Sequence, residues 1–324
     1  MIFTANENCI HARAKKSGLT EAGTQRYKCL DCGKRFTEST KTLGGMRIGM
    51  DKATQIVGML CEGMSLRATS RLANVSLPTI LELIELVGPR CKQFLQEEIR
   101  GVRVHDLQCD EIWQFVFCKR RTAQRLEETG FGGPCGDSWC FTAVERHTKL
   151  VVAWHFGRRY LHDTEEFCRR IRTATTADRF HLSTDGYQPY LPAVAQYLAD
   201  RVDYGQVIKI FGRGGGEADR KYSPAPIVGQ RKEKVSGSPI ESLICTSHTE
   251  RNNGSIRTFM KRMGRLTYCF SKKWANHEHA LAMHFAHFNF CRRHRTLKGR
   301  TPAMASGLAS QAWSVEELLL SIAI

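Results

Sequence analysis

Apolar residues between positions 49 and 100 recur every three to four residues, which is the spacing of one helical face. The first such helix is expected to end at Gly63. Ser65 and Ser76 then stand where N-caps are favoured, so the pattern predicts two further helices joined by a short turn. Helix, short turn and helix is the plan of a helix-turn-helix, whose second helix enters the DNA major groove. The alternative is a helical hairpin that serves only for packing.

From residue 102 onward the hydrophobic pattern changes to alternation and to short apolar runs, which are typical of strands. Strands are predicted through Asp110, over the two arms of a hairpin that turns at 146–149, and before Asp185 and Gly212. Helical patterns lie between the later strands, and Asp163 is expected to cap one of them. Strands that alternate with helices after a hairpin predict an α/β fold with a mixed sheet.

Residues 212–240 break this pattern because glycine, proline and charged residues dominate them. They predict a long surface loop inserted in the domain, and the residues after them predict mostly helices. Three regions are therefore expected. They are a zinc-ribbon-like segment at 1–48, a helix-turn-helix and linking helix at 49–100, and an α/β domain with C-terminal helices at 101–324.

The charge of the chain indicates its partner. There are 48 Lys and Arg against 32 Asp and Glu, a formal net charge of +16, and a field of that sign attracts polyphosphate backbones. Residues 251–300 hold twelve basic residues and a single acid, Glu278. A merely soluble basic protein is the alternative. No apolar run is long enough to span a membrane and no signal peptide is recognisable, so a cytoplasmic protein without a membrane partner is expected.

Cysteine spacing near the N-terminus predicts a zinc site. Cys29 and Cys32 form a C-x-x-C pair followed by Gly33, a turn that lets two thiolates converge on one ion. Cys9 is the expected third ligand and His11 is a candidate for the fourth. The alternative is a pair of free thiols in a loop, and the odd total of 13 cysteines argues against a disulfide framework.

Three acids stand in apolar or basic surroundings that do not suit an isolated carboxylate. Asp110 interrupts an apolar strand, Asp185 follows one, and Glu250 begins a basic helix. Buried carboxylates need either an ion-pair partner or a cation, so each could pair with Arg or Lys. Together they could instead hold two Mg²⁺ or Mn²⁺ ions for displacement at phosphorus. Glu111 is expected to point to the opposite sheet face from Asp110 and to be a structural acid.

Five stretches carry a resemblance to a known family. They are GTQRYKCLDCGKRF, GMSLRATSRLANVSLPTI, QCDEIWQFV, STDGYQPY and HTERNNGSIRTFMKRMGRLTYCFSKKWANH, and nearly the whole chain is covered. The chain resembles the insertion sequence one family of bacterial transposases. The resemblance implies a DDE triad of Asp110, Asp185 and Glu250 on an RNase H-like fold, with divalent metal. It also implies that the protein transposes DNA. The expected location is the bacterial cytoplasm, in association with the nucleoid. The departure is Asn6, which stands where a first-pair zinc cysteine is expected.

Double-stranded DNA, both element ends and target, is the partner that this resemblance implies, and joining two ends requires at least a dimer. Candidate DNA contacts follow from the predicted helices. The helix-turn-helix offers three, and the helix after Glu250 offers one polar and three basic positions: Arg67, Ser76 and Thr79, then Asn253, Arg257, Lys261 and Arg262. Two rival functions remain, a metal-dependent nuclease on the same fold and a non-catalytic DNA-binding regulator.

Overall fold

A computed structural model describes residues 9, 13–20, 25–37, 44, 48–130, 133–212, 226–265 and 267–323. The chain divides into two compact units, residues 1–52 with 323–324 and residues 53–322. The smaller unit contains a three-stranded antiparallel sheet of β1 (Ala14–Leu19), β2 (Gln25–Cys29) and β3 (Arg35–Thr37).

The larger unit combines one sheet with helices. Its strands are β4 (Asp106–Val116), β5 (Gly136–Glu145), β6 (Val151–Gly157), β7 (Phe180–Asp185), β8 (Val202–Phe211) and β9 (Ile227–Ser236). The helices are α1 (Met50–Cys61), α2 (Leu66–Ala73), α3 (Leu77–Glu98), α4 (Arg120–Glu128), α5 (Leu161–Ala174), α6 (Tyr190–Tyr197), α7 (Ser247–Phe259), α8 (Trp274–Phe290), α9 (Pro302–Ala305) and α10 (Val315–Ser321). Of these, α1 begins within the last residues of the smaller unit.

The two predicted N-caps are confirmed. The Ser65 hydroxyl accepts a hydrogen bond from the Ala68 amide at 3.2 Å, and the Ser76 hydroxyl accepts one from the Thr79 amide at 3.3 Å. Asn74 takes a left-handed conformation, with φ of 52°, and the chain bends by 112° between α2 and α3. α3 then runs without a break through the segment that the sequence predicts as a linking helix.

α3 packs along α8, the most buried of the described helices. The Phe94 ring lies 4.9 Å from that of Phe290, and Gly88 lets the α8 backbone approach, because a Cβ at that position would come within 2.2 Å of the His279 Cβ. No single helix of the described residues is long and apolar enough to cross a membrane. α2 and α3 taken together have the length and apolar composition of a membrane span, but the chain is sharply bent between them.

The six-stranded sheet has the order β6-β5-β4-β7-β8-β9. β4 with β5, β5 with β6 and β8 with β9 are antiparallel, whereas β7 is parallel to both β4 and β8. The prediction of an α/β fold with a mixed sheet is therefore confirmed, as is the hairpin turn before β6, where Lys149 has a φ of 62°.

Two local predictions are wrong. The segment 212–240 is not all loop, because β9 lies within it as an edge strand that pairs with β8. Nearly every residue of β9 is exposed, so its composition resembles that of a loop, and residues 213–225 lie outside the described residues. Asp163 does not cap α5, whose N-cap is Tyr160. Its carboxylate instead lies 2.8 Å from His155 Nε2 on β6.

Candidate metal centre

The parallel pairing of β4 with β7 brings two of the predicted acids together. The paired residues run from Asp106 with His181 to Gln108 with Ser183. Asp110 and Asp185 each lie two residues beyond the last pair, so they are neighbours just past the paired segment, where β7 ends and β4 continues. Oxygen atoms of Asp110, Asp185 and Glu111 all lie within 4.8 Å of one another. The structure thus assembles a compact carboxylate cluster from two strands.

The electrostatics of this cluster favour a bound cation. Burial raises the pKa of Asp110 to about 7, with the charge of Asp185 as the next cause. Burial and Asp185 likewise raise the pKa of Glu111 to about 8, and burial raises that of Asp185. Carboxylates this close and this buried repel one another, and a divalent cation would relieve that repulsion.

The third predicted acid, Glu250, lies beside this cluster in the first turn of α7. Its charge raises the pKa of both Asp110 and Asp185, so it is near both. Its Oε1 accepts hydrogen bonds from Lys209 Nζ at 2.6 Å and from the Thr246 hydroxyl at 2.9 Å. The set of oxygens within 4.8 Å of one another contains Glu111 in place of Glu250.

Glu111 differs from its prediction in position. Its carboxylate was expected on the far side of the sheet from Asp110, yet it joins the cluster. The pairing of β4 with β7 ends at Gln108, before Glu111, so the long glutamate side chain can reach around the end of β7. Its Oε1 accepts from Arg159 at 2.6 Å and its Oε2 accepts from the Tyr190 hydroxyl at 3.2 Å. Both oxygens are thus engaged by protein groups, as a structural acid requires.

Arg159 holds one side of the cluster and was not among the predicted residues. Its guanidinium lies over the rings of Tyr187 and Trp139, at 4.1 and 4.8 Å from the centroids. Besides its bonds to Glu111 it lies 3.8 Å from Asp185 Oδ2. The Tyr187 amide donates to Asp185 Oδ1 at 3.0 Å, which fixes that carboxylate further. No sequence signal distinguishes Arg159 from the other basic residues.

Lys209 was also not among the predicted site residues, although the sequence contains a pattern that could have identified it. It is a charged residue inside the apolar strand run QVIKIF, the same irregularity that identified Asp110. Burial acts to lower its pKa, but the bond to Glu250 and the charges of Asp110 and Asp185 outweigh burial and raise it.

The predicted DNA contacts after Glu250 divide into two kinds. Asn253, one helical turn further along α7, donates from Nδ2 to Asp110 Oδ2 at 2.7 Å and so lies on the predicted side of the helix. Lys261 does not continue that face, because α7 ends at Phe259 and Met260 is extended. Lys261 is nevertheless exposed.

The two arginines of this group are engaged by the protein. Arg257 donates to the Met263 carbonyl at 2.9 Å, and burial followed by the charge of Arg265 lowers its pKa to about 10. The half-buried Arg262 guanidinium donates to the Ser271 hydroxyl at 3.0 Å and to the Asn276 carbonyl at 2.9 Å, so its predicted contact with DNA would have to compete with these bonds. Burial lowers its pKa to about 10 as well.

The helix-turn-helix candidates lie at the surface of α2 and at the start of α3. Arg67 and Ser76 are exposed and Thr79 is half-buried. The Ser76 and Thr79 hydroxyls lie 2.9 Å apart and are hydrogen-bonded, in addition to the capping bond. Arg67 therefore remains available to a phosphate, whereas both hydroxyls have a local structural role.

The cysteine cluster assembles in the smaller unit. Sulfur atoms of Cys9, Cys29 and Cys32 lie within 4.8 Å of one another, and the Cys9 and Cys29 sulfurs are 3.8 Å apart. Gly33 has a φ of 75°, which is the left-handed turn that the C-x-x-C-Gly pattern predicts. Three thiols in this arrangement suit zinc. His11, the candidate fourth ligand, lies outside the described residues.

Comparisons with known proteins give little further guidance. No protein-family model matches the chain, and no curated protein matches it. Among solved structures, the chain is similar to a piggyBac transposase in a synaptic complex with hairpin DNA, determined by cryo-electron microscopy. The TM-score is 0.35 at 13% identity, over 85% of this chain and 70% of that one. A similarity at this level carries no argument about function.

Proposed function

We propose that this protein is a DNA transposase of the insertion sequence one type, which cuts element ends and joins them to target DNA with divalent metal. The observation that carries the proposal is the convergence of the Asp110 and Asp185 carboxylates in a chain of net charge +16. Glu250 lies one helical turn from Asn253, which bonds Asp110, and its charge acts on both aspartates. The order of strands β4 to β8 supports an RNase H-like arrangement. The five sequence stretches that resemble the family support the assignment further.

The donor set fits Mg²⁺ or Mn²⁺, because these ions prefer hard oxygen ligands and the cluster has an excess of buried negative charge. Asp110, Asp185 and Glu250 would hold the metal. When bound, such metal activates a water or a 3′-hydroxyl and neutralises charge on the phosphate. Glu111 is given a structural role instead, because its oxygens are bonded by Arg159 and Tyr190.

The chain's own residues position the ligands. Asn253 holds one oxygen of Asp110, which leaves the other for the ion, and the Tyr187 amide orients Asp185. Arg159 compensates the charge of Glu111, so the three ligand acids do not also face the unpaired charge of a fourth carboxylate. The attacking oxygen comes from water or from DNA, so no covalent enzyme intermediate is needed.

The DNA partners follow from the basic surface. Arg67 on α2 and Lys261 after α7 are exposed cations, and together with the net charge they support contacts with element ends and target. A dimer or larger assembly would bring two ends together. The cysteine cluster would hold a structural zinc ion, and the protein would act at the bacterial nucleoid.

The test is a joining assay with DNA that flanks the gene. Pre-cut ends with a 3′-hydroxyl are mixed with target plasmid, with and without Mg²⁺ or Mn²⁺. Joined products are expected with metal only. Asp110→Asn, Asp185→Asn and Glu250→Gln should abolish joining and retain end binding. Asp178→Asn, whose side chain is 60% exposed, is the matched control and should remain active.

Two outcomes of this assay would contradict the proposal and favour one of the rival functions. Metal-dependent nicks without joined products would favour the rival nuclease. End binding with no metal-dependent chemistry, unchanged in all three acid variants, would favour a non-catalytic regulator.

A further inference from the structure

The cation nearest to the third acid is Lys209, on strand β8. Asp185 pairs with Val207 on this strand, so Lys209 lies two residues further, past the end of β7. Its ammonium is 2.6 Å from Glu250 Oε1, and its positive charge lowers the pKa of both Asp110 and Asp185. One ammonium therefore acts electrostatically on all three acids proposed to hold metal.

Lys209 is the cation that bonds directly to a proposed ligand acid. Four acids lie at this site, the three proposed ligands and Glu111. Among the described residues, their ion-pair partners are Arg159 and Lys209. Arg159 is bonded to Glu111 and lies farther, at 3.8 Å, from Asp185. Asp110 has a neutral partner, Asn253. Arg159 and Lys209 thus both face Asp185, but among the described residues Lys209 is the cation paired with Glu250.

The bond from Lys209 also determines where Glu250 is held. The Oε1 atom of Glu250 accepts from both Lys209 and Thr246, whereas the oxygens of Asp110 and Asp185 cluster without it. A divalent ion held by all three acids would bring a second positive charge next to the ammonium. The two cations would repel each other, and this repulsion favours exchange of the ammonium for the ion at Glu250.

We propose that Lys209 is a placeholder for the metal, holding Glu250 in the metal-free protein and competing with the ion for that carboxylate. The inference rests on the proposed function, since it assigns a ligand role to Glu250. The long flexible lysine stem allows the ammonium to withdraw when the ion enters. Lys209 is therefore a positioning residue that determines how much metal is needed to load the site.

The experiment measures Mn²⁺ binding without DNA, by electron paramagnetic resonance of the free ion, on protein whose cysteine cluster is kept loaded with zinc. Lys209→Met removes the charge at similar length and should tighten Mn²⁺ binding about tenfold, because a partly exposed charge pair is worth roughly 1 kcal/mol or slightly more. Lys209→Arg keeps the charge and should stay near wild type. Lys234→Met on β9, where the side chain is 58% exposed, is the matched control and should change nothing.

A second measurement isolates the route through Glu250. In the Glu250→Gln background, Lys209→Met should give much less tightening, because the carboxylate for which the two cations compete is gone. Circular dichroism melting checks that each variant is folded. Glu250 is 44% exposed on its side chain, so losing its partner leaves no buried orphan charge.

The outcomes separate this inference from the proposed function. Unchanged or weaker Mn²⁺ binding in folded Lys209→Met, with binding still lost in Asp110→Asn, would overturn the placeholder role alone. If Asp110→Asn binds Mn²⁺ as well as wild type does, the ion is not held at this cluster, and both the placeholder role and the metal centre are wrong.

Discussion

Replacing Asp110 with asparagine should make the metal-free protein more stable at alkaline pH while abolishing its activity. The carboxylate of Asp110 is buried beside Asp185, and these two causes raise its pKa to about 7. Asparagine has nearly the same shape and no charge. Its amide oxygen can still accept the hydrogen bond that Asn253 donates. The substitution thus removes the repulsion and keeps the packing.

The direction of the pH dependence follows from the raised pKa. An acid that binds its proton more tightly in the folded state stabilises the fold fully below its unfolded pKa, near 4, and loses that contribution as the pH rises through about 7. At 1.36 kcal/mol per pKa unit the loss is about 4 kcal/mol. This is an upper bound, because Asp185 and Glu111 share the same proton equilibria. The loss corresponds to roughly 5 to 10 °C in melting temperature.

The assay is thermal unfolding followed by circular dichroism at pH 5 and pH 8.5, in buffer free of divalent ions. Asp110→Asn should melt several degrees above wild type at pH 8.5, and most of the difference should vanish at pH 5. Added Mn²⁺ should raise the wild-type melting temperature at pH 8.5 and leave the variant nearly unchanged. Asp178→Asn, at an exposed site, should follow wild type at both pH values. A variant that is less stable than wild type at both pH values would refute the electrostatic reasoning.

Four further outcomes test other parts of the structure. Arg159→Met should destabilise the protein by about 2 kcal/mol in urea unfolding, because it leaves the Glu111 carboxylate buried and unpaired, and adding Glu111→Gln should restore most of the loss. Cys29→Ser should lower the zinc content measured by atomic absorption; equal zinc in both proteins would contradict the cysteine site. Gly88→Ala should lower the melting temperature because its Cβ would overlap a side chain on α8, whereas Gly58→Ala, which meets open space, should not. DNA affinity should fall linearly with salt on logarithmic axes, and a flat response would argue against phosphate contacts.

The features that the sequence determined by itself are those with short-range causes. The caps at Ser65 and Ser76, the turn at Asn74 and the hairpin before β6 each depend on a few neighbouring residues, so their patterns were readable directly. The alternation of strands and helices likewise predicted the mixed sheet. Acids inside apolar strands identified Asp110 and Asp185, because an unpaired buried carboxylate is too unfavourable to occur without a partner.

Only the tertiary structure decided which groups meet. The partner of Glu250 is Lys209 and that of Glu111 is Arg159. The chain has 48 Lys and Arg residues, and the local sequence around each does not indicate which of them pairs with which acid. Arg262 carries the same charge as a phosphate-binding arginine, yet its guanidinium is hydrogen-bonded to Ser271 and to the Asn276 carbonyl. Such pairings depend on the distances between residues far apart in the chain, and those distances are fixed by packing of the whole sheet and its helices rather than by any local pattern.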